Sequence, residues 1–168
     1  MEQRLLANEV NEMLIELLQE CDYYYPQAGS YFQDLYHTGC RSTEPLSIEQ
    51  WNMVGNIVSL KTHKTGEIRI INQNLLSDDL LVSIVDKLPA YGALTYDQLT
   101  KVFRKYISKH PIYAGDRVAD TYLFRYNRAR QMFMETTSIE EVMEFFAWQS
   151  ESNAMKYITQ DLVYRNHN

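Results

Sequence analysis

The sequence predicts a mainly α fold with one small antiparallel β-sheet, an α+β domain. Apolar residues recur at helical spacing over most of the chain. Only one pair of segments, on either side of Gly66, is rich in β-branched residues. No repeat, low-complexity tract or linker divides the 168 residues, so we expect a single domain spanning 1–168.

Composition limits the class of protein. The hydrophobic content of 45% is enough for a real core. The two cysteines, Cys21 and Cys40, are too few for a disulfide framework and indicate a reducing cytoplasm. Glu2 and Arg4 predict that there is no signal peptide, and no apolar run approaches a membrane span. We therefore expect a cytoplasmic protein with no membrane partner.

Charge is unevenly distributed along the chain. The formal net charge of −6 disfavours a general nucleic-acid coat protein, because neutralising phosphates requires Lys and Arg. Residues 101–130, however, contain eight Lys or Arg against two Asp, whereas residues 1–20 contain five Glu and one Arg. The pattern predicts a basic face on an acidic body.

The chain begins with a predicted amphipathic helix from Glu2 to Cys21, whose apolar positions are Leu6, Val10, Met13, Leu14, Leu17 and Leu18. Pro26 ends it, since the residue before proline avoids helical geometry. The adjacent Tyr23, Tyr24 and Tyr25 could stack on bases, but partial burial at a helix-to-loop junction is the favoured interpretation.

A second short helix is predicted from Ser30 to Tyr36, with Gly39 as its C-terminal cap. Beyond it, residues 56–60 and 68–72 are predicted to form a β-hairpin that turns at Gly66.

Residues 75–88 are predicted to form a helix opened by Ser77 or by the following pair of aspartates. After a loop at 89–94, a Thr95…Gln98 capping box opens a helix through Ile107. Its predicted inward positions are Leu99, Val102, Phe103 and Tyr106, and its outer positions are Lys101, Arg104, Lys105 and Lys109. The outer face is either simply solvated or a contact surface for a DNA backbone.

Three further helices are predicted after a loop at 111–120. The first carries Arg125, the second runs from a Ser138…Glu141 capping box through Ala147, and the third starts at Ser152.

We predict that Arg125, Trp148 and Tyr157 lie on three successive short helices, with Trp148 at the very end of the second. Arginine presents a planar fork of donors that fits a phosphate, tryptophan presents one indole donor, and tyrosine presents a hydroxyl that donates or acts as a nucleophile. The three side chains could meet on one anion.

The order of these residues resembles the catalytic domain of the tyrosine site-specific recombinases, or phage integrases. In that family the nucleophilic tyrosine follows a His or Trp by nine residues, which is the interval from Trp148 to Tyr157. The family's first box, Thr-Gly-Leu-Arg-x-x-Glu-Leu, is matched by Thr38, Gly39, Arg41, Glu44 and Leu46. Cys40 replaces its Leu, and Pro45 is an insertion that only the start of a helix tolerates.

The family carries its catalytic lysine on a hairpin in a Lys-Thr-Gly context, which selects Lys64 over Lys61. Without the surrounding pattern, a lysine at a hairpin tip is usually solvated. The match spans residues 28–158, and the order of its motifs carries more weight than any one of them.

The resemblance implies cleavage and rejoining of double-stranded DNA without metal or cofactor. Tyr157 would attack the phosphate and form a 3′-phosphotyrosyl link, while Arg41 and Arg125 balance the developing charge. Lys64 would protonate the leaving 5′ oxygen, and Trp148 would bind one phosphate oxygen. Glu44 would support Arg41, and the DNA backbone would contact Lys61, Lys101, Arg104, Lys105 and Arg128.

Two departures from the family pattern affect this expectation. Tyr122 and Tyr126 replace the two histidines of a His-x-x-Arg-His motif, and tyrosine, with a pKa of about 10, shuttles protons poorly near neutrality. Tyr122 can still bind a phosphate oxygen.

Only an acidic helix precedes the catalytic region, so we expect no separate N-terminal DNA-binding domain, and a partner protein could supply that clamp. Eleven residues follow Tyr157, a short tail for exchange in a tetramer on DNA; free of DNA, we expect a monomer or dimer.

Two alternatives stay open at this point. A degenerate recombinase would bind DNA or a protein partner without cleavage. A helical protein-interaction module with an accidental match would place Arg41, Arg125 and Tyr157 far apart.

Overall fold

The computed structural model describes residues 2–5, 7–62, 65–110, 121–159 and 162–165. Within these ranges it contains seven α-helices, a three-stranded antiparallel sheet and one further pair of strands. The predicted mainly α fold with a small antiparallel sheet is confirmed. Among the described helices, none is both long and apolar enough to cross a membrane.

The amino-terminal helix α1 spans Ala7–Tyr24, so its predicted start at residue 2 is wrong. Strand β1, Glu2–Leu5, pairs instead with β5, Leu162–Arg165, with Glu2 opposite Arg165. The partner of this strand is about as far away along the chain as it can be, so local periodicity could not indicate the pairing. Leu6, predicted as an apolar position of the helix, lies outside the described residues.

Helix α2 spans Pro26–Thr38 and begins four residues before its predicted start. Proline is tolerated in the first turn of a helix because its missing N–H needs no partner there. Gly39 is the C-terminal cap, as predicted, with φ of 63° and its N–H donated to the Leu35 carbonyl. The predicted partial burial of the tyrosine run is wrong for Tyr23 and Tyr24, which are 81% and 64% exposed because the last turn of α1 points outward.

The sheet consists of β2 (Trp51–Val54), β3 (Ile57–Lys61) and β4 (Ile68–Asn72), in that order. The predicted β3–β4 hairpin is confirmed. Strand β2 was not predicted, and Asn56 lies in the two-residue turn that joins it to β3 rather than in a strand. One face of the sheet packs on the core through Val58, Leu60, Arg69 and Ile71.

Short 3₁₀ turns occupy Glu44–Leu46, Ile48–Gln50, Gln73–Leu75 and Tyr91–Ala93. The remaining helices are α3 (Asp78–Asp86), α4 (Tyr96–Lys109), α5 (Tyr122–Thr136), α6 (Ile139–Phe146) and α7 (Glu151–Thr159).

The predicted helix caps at Ser77, Thr95 and Ser138 are confirmed, each side chain accepting an N–H three residues ahead. Several boundaries differ from prediction: α3 ends at Asp86 rather than at residue 88, α4 ends at Lys109 rather than Ile107, and α6 ends at Phe146 rather than Ala147. Helix α3 starts only after Ser77, because residues 73–75 form a separate 3₁₀ turn. Helix α7 is capped by Ser150, whose hydroxyl accepts the Asn153 N–H at 3.3 Å, rather than started at Ser152. The loop predicted at 111–120 lies outside the described residues.

Buried side chains form two clusters. The larger joins helices α1 to α5 and the sheet, and its centre includes Leu14, Leu17, Phe32, Phe103 and Phe124. The smaller joins α5, α6 and α7 through Ala129, Val142, Phe146, Ala154 and Ile158. This second cluster fixes the last two helices against α5, and with them the residues around the candidate site.

Candidate active site

Arg125 lies in the first turn of α5 and is 4% exposed. Its Nη1 donates a 2.9 Å hydrogen bond to the Gly39 carbonyl at the end of α2. Its Nε is buried and has no hydrogen-bond partner among the described residues. A buried guanidinium with an unused donor is well suited to an anion.

Three rings form an aromatic stack, Phe146–Trp148–Tyr157, beside Arg125. Successive ring centroids are 4.4 and 4.7 Å apart. The Arg125 Cζ is 5.1, 5.2 and 5.8 Å from the three centroids. Cation–π attraction therefore favours this arrangement of the stack and the guanidinium.

Trp148 lies in the turn after α6, so its predicted position on a helix is wrong. Ala147 adopts a left-handed conformation with φ of 57° and ends the helix, and the Trp148 N–H then bonds the Met143 carbonyl at 2.8 Å. Its indole Nε1 is buried and has no partner among the described residues. Trp148 thus offers a second unused donor close to Arg125.

Tyr157, on α7, lies beside Arg125 in this DNA-free structure. Its ring centroid is 5.6 Å from that of Tyr122 and 6.2 Å from that of Tyr126. Burial, followed by a hydrogen bond to Tyr157, raises the pKa of Tyr122 well above its ordinary value. Tyr122 consequently stays protonated throughout the neutral range.

Arg41 follows the Gly39 cap and is supported by Glu44. Its backbone N–H donates to Glu44 Oε1, and its Nη1 lies 4.0 Å from Glu44 Oε2. Glu44 itself is fully buried, and its carbonyl accepts the Trp51 indole N–H at 2.8 Å. Burial, and then the charge of Arg125, lowers the pKa of Arg41 from its ordinary value.

Two neighbouring pockets open onto the two arginines. One, of about 280 Å³, is lined by Arg41, Tyr122, Arg125 and Tyr157 together with smaller polar residues. The other, of about 290 Å³, is lined by Arg41, Arg125, Trp148 and Tyr157 and by residues of the β3–β4 hairpin. The structure therefore brings five of the six predicted catalytic side chains together, which contradicts the accidental-match alternative.

The sixth predicted catalytic residue, Lys64, lies outside the described residues. Thr62 and Thr65, on either side of it in sequence, both line the second pocket.

The residues predicted to contact a DNA backbone fall into two groups. Lys101, Arg104 and Lys105 are exposed on one face of α4, and Lys61 is exposed at the end of β3. Arg128 differs, because it is half-buried on α5 with its Cζ 5.1 Å from the centroid of the Phe145 ring.

Arg69 is a buried cation next to the site that the sequence did not single out. It lies on β4 and is 1% exposed. Strand alternation places it in phase with the buried Ile71, but isoleucines occupy both faces of this strand, so the inward face could not be identified.

Among the described residues, no group of three or more His, Cys, Asp or Glu is arranged to hold a metal ion.

No protein-family model matches the sequence, and no curated protein matches it. Solved structures do match. The XerH site-specific recombinase bound to difH substrate in a pre-cleavage complex has a TM-score of 0.61 and 18% identity, over 95% of this chain and 51% of that one. A lambda integrase dimer bound to a COC′ core site has a TM-score of 0.63 and 15% identity, over 92% and 58%.

A lambda integrase tetramer bound to a Holliday junction also matches, with a TM-score of 0.62 and 14% identity, over 93% of this chain and 48% of that one. This chain spans about half the length of the structures it matches. The likeness shows that it has the fold of a tyrosine recombinase catalytic domain.

Proposed function

We propose that this chain is a DNA strand transferase of the tyrosine recombinase type, acting in site-specific recombination or integration of a mobile element. The observation that carries the proposal is the shared pocket of about 280 Å³ lined by Arg41, Arg125 and Tyr157. Two cations and a nucleophilic hydroxyl at one opening are what phosphoryl transfer to a tyrosine requires.

In the proposed step the Tyr157 oxygen attacks the scissile phosphorus of duplex DNA. The bond from phosphorus to the 5′ oxygen breaks, and a 3′-phosphotyrosyl bond forms. The Tyr157 proton passes to solvent, and Lys64 donates a proton to the leaving 5′ oxygen. Attack by a second 5′-hydroxyl reverses the step, so strand exchange requires no nucleotide, metal or other cofactor.

The other side chains stabilise the transition state or hold the reacting groups. Arg41 and Arg125 balance charge on the non-bridging oxygens, and Glu44 holds Arg41 in place. Trp148 donates its unused Nε1 to one phosphate oxygen, and its ring packs Tyr157 against Arg125. Tyr122, which stays protonated, donates a hydrogen bond rather than transferring a proton.

The DNA backbone would lie against Lys61 and the exposed basic face of α4. XerH and lambda integrase are DNA-bound in the matching structures, two of which are a dimer and a tetramer. We infer that this chain likewise assembles as a tetramer on DNA, and that a partner protein can complete the clamp around the duplex.

A second candidate function is DNA binding without cleavage. The specific observation in its favour is Tyr122, which replaces a histidine and whose pKa is raised further from neutrality by burial. A site with the phosphate ligands but no group that titrates near neutrality would retain binding and lose turnover.

The decisive experiment uses a library of nicked duplexes, from which the short fragment that carries the released 5′-hydroxyl diffuses away and leaves the 3′-phosphotyrosyl adduct trapped. The chain is incubated with this library in EDTA, and adducts are isolated under denaturing conditions and sequenced. We expect an adduct with the wild type and none with Tyr157→Phe, which should still bind the captured sequence. Binding of selected duplexes without any adduct would establish the second candidate instead.

A further inference from the structure

Arg69 joins two helix ends with one guanidinium. Its Nη2 donates to the Thr38 carbonyl at 2.8 Å, and its Nε donates to the Phe145 carbonyl at 3.0 Å. Thr38 is the last residue of α2, and Phe145 is the next to last of α6. Carbonyls at helix C-termini lack intrahelical partners and carry partial negative charge, so a buried cation satisfies both.

Each of these helix ends leads directly to a residue of the candidate site. Arg41 comes three residues after Thr38, and Trp148 comes three residues after Phe145. The Arg69 Cζ also lies 5.1 Å from the centroid of the Phe146 ring, the first ring of the aromatic stack. Since Arg69 belongs to β4, one side chain connects the hairpin, the Arg41 segment and the Trp148 segment.

Stability alone does not account for an arginine at this position. Burial, with repulsion from Arg125 and Arg41 as smaller causes, lowers its pKa to about 10, which still leaves a cation at neutral pH. Its Nη1 is buried without a partner among the described residues. Well-packed apolar side chains can replace even a buried ion pair at little or no cost in stability, so an arginine at this position, with one donor unused, points to a requirement for position.

We propose that Arg69 is a positioning residue that fixes the Arg41 segment and the Trp148 segment relative to each other. It does not line either pocket, so it acts through these two segments and not on a substrate. The claim that Arg69 serves catalysis rests on the proposed strand transfer. The claim that Arg69 fixes Trp148 is independent of that function.

The first test uses the DNA-free protein and Trp148 fluorescence. The only other tryptophan is Trp51, so all variants are made in a Trp51→Phe background. Arg69→Met keeps most of the stem but removes both carbonyl hydrogen bonds. We expect a red-shifted Trp148 emission and stronger acrylamide quenching. Arg69→Lys, which keeps the charge and can reach one carbonyl, should give an intermediate signal.

The matched control is Ile71→Ala, at the next inward position of β4 and 2% exposed. It opens a cavity in the same strand but leaves the hydrogen bonds to Thr38 and Phe145 in place. We expect it to lower the melting temperature without changing Trp148 emission. If Arg69→Met does not fold, the comparison of Arg69→Lys with Ile71→Ala carries the test.

The second test measures adduct formation at saturating DNA. A displacement of about 1 Å can cost on the order of 100-fold in rate, so we expect Arg69→Met to slow the adduct to about that extent. DNA affinity should change by less than about threefold, because Arg69 is not one of the residues proposed to contact the DNA backbone.

Unchanged Trp148 emission in both Arg69 variants would overturn the proposal, as would equal effects of Arg69→Met and Ile71→Ala. An absent wild-type adduct would overturn the proposed function but not the fluorescence result.

Discussion

The Arg125 guanidinium donates a 2.9 Å hydrogen bond to the carbonyl oxygen of Gly39, the residue that caps α2. Arg41 lies two residues beyond that carbonyl. The contact between the Arg125 side chain and the backbone at the end of α2 therefore holds the two arginines of the candidate site near each other. A substitution at Arg125 removes the contact, and a substitution at Gly39 alters the cap, so the two features can be tested separately.

Arg125→Ala removes the most deeply buried of the pocket cations and its contact to Gly39. We expect a rate loss equivalent to on the order of 3 kcal/mol in the barrier, as for other preformed donors. The measurement is single-turnover adduct formation at saturating DNA. Arg104→Ala, which removes an exposed arginine from α4, serves as the control and should leave that rate nearly unchanged. A comparable rate in the two variants would show that Arg125 does not act on the phosphate.

Gly39→Ala should destabilise the fold for two separable reasons. Its φ of 63° strains any L side chain, and a Cβ there would lie 2.6 Å from the Phe146 Cε1. Gly55 is a matched control, since its φ is 60° and nothing lies within 4 Å of its Cβ position. Strain of this kind costs on the order of 1–3 kcal/mol, so urea unfolding should show that loss for Gly55→Ala and a larger one for Gly39→Ala. Equal losses would mean that Phe146 moves aside freely.

Where sequence and structure agree, the signal is local. The sequence predicts caps at Ser77 (or the two aspartates after it), Thr95 and Ser138 from residue types within a single turn. In the structure each of the three hydroxyls accepts an N–H three residues ahead, so the motif and the contact occupy the same short segment. The order and spacing of Arg41, Arg125 and Tyr157 likewise allowed their convergence to be predicted.

Where they disagree, tertiary contacts decide. The β1–β5 pairing links the two ends of the chain. The sequence predicts Trp148 at the end of a helix, because nothing about Ala147 signals the left-handed conformation that ends α6. The role of Arg69 depends on its hydrogen bonds to carbonyls in two other elements, and the residue pattern of its own strand does not indicate these contacts.

The basic face of α4 gives a prediction about salt. Replacing Lys101, Arg104 and Lys105 by Glu should weaken duplex binding and lower the slope of log affinity against log salt by up to about 2–3. The Lys101–Asp97 ion pair is largely exposed, so its loss should not harm the fold. Binding is measured by titration at several salt concentrations. A second variant with Gln at the same three positions separates the effect of lost contacts from that of added repulsion. An unaltered slope in both variants would show that this face of α4 does not contact DNA.

Asp34 predicts a stability change below neutral pH. Its buried carboxyl accepts hydrogen bonds from Ser77 and Tyr91, which favour the ionised form, but burial dominates and raises its pKa to about 6. The folded state then binds this proton more tightly than the unfolded state. The contribution of Asp34 to stability is therefore present below pH 4 and lost as pH rises to about 6, by at most about 3 kcal/mol.

The check is the free energy of unfolding of the wild type minus that of Asp34→Asn, followed between pH 4 and pH 7. We expect this difference to fall as pH rises. Asp86→Asn, at an exposed position on α3, is measured alongside as the control. A difference that rises with pH would mean that the hydrogen bonds outweigh burial.

Tyr122 gives the sharpest distinction between an enzyme and a binding protein. Tyr122→His places a group that titrates near neutrality in the pocket shared by Arg41 and Arg125. We expect adduct formation to become at least about tenfold faster at pH 7, with a new pH dependence between pH 6 and 8, because proton transfer then contributes. Tyr122→Phe loses only the hydroxyl and should be slower than wild type by much less than Arg125→Ala. Tyr126→His makes the same chemical change one turn further along α5, where the side chain is 6% exposed, and should lower stability without raising the rate. If Tyr122→His is no faster than Tyr122→Phe, a group that titrates near neutrality at position 122 does not take part in the reaction, and the replacement of histidine by tyrosine does not explain a loss of turnover.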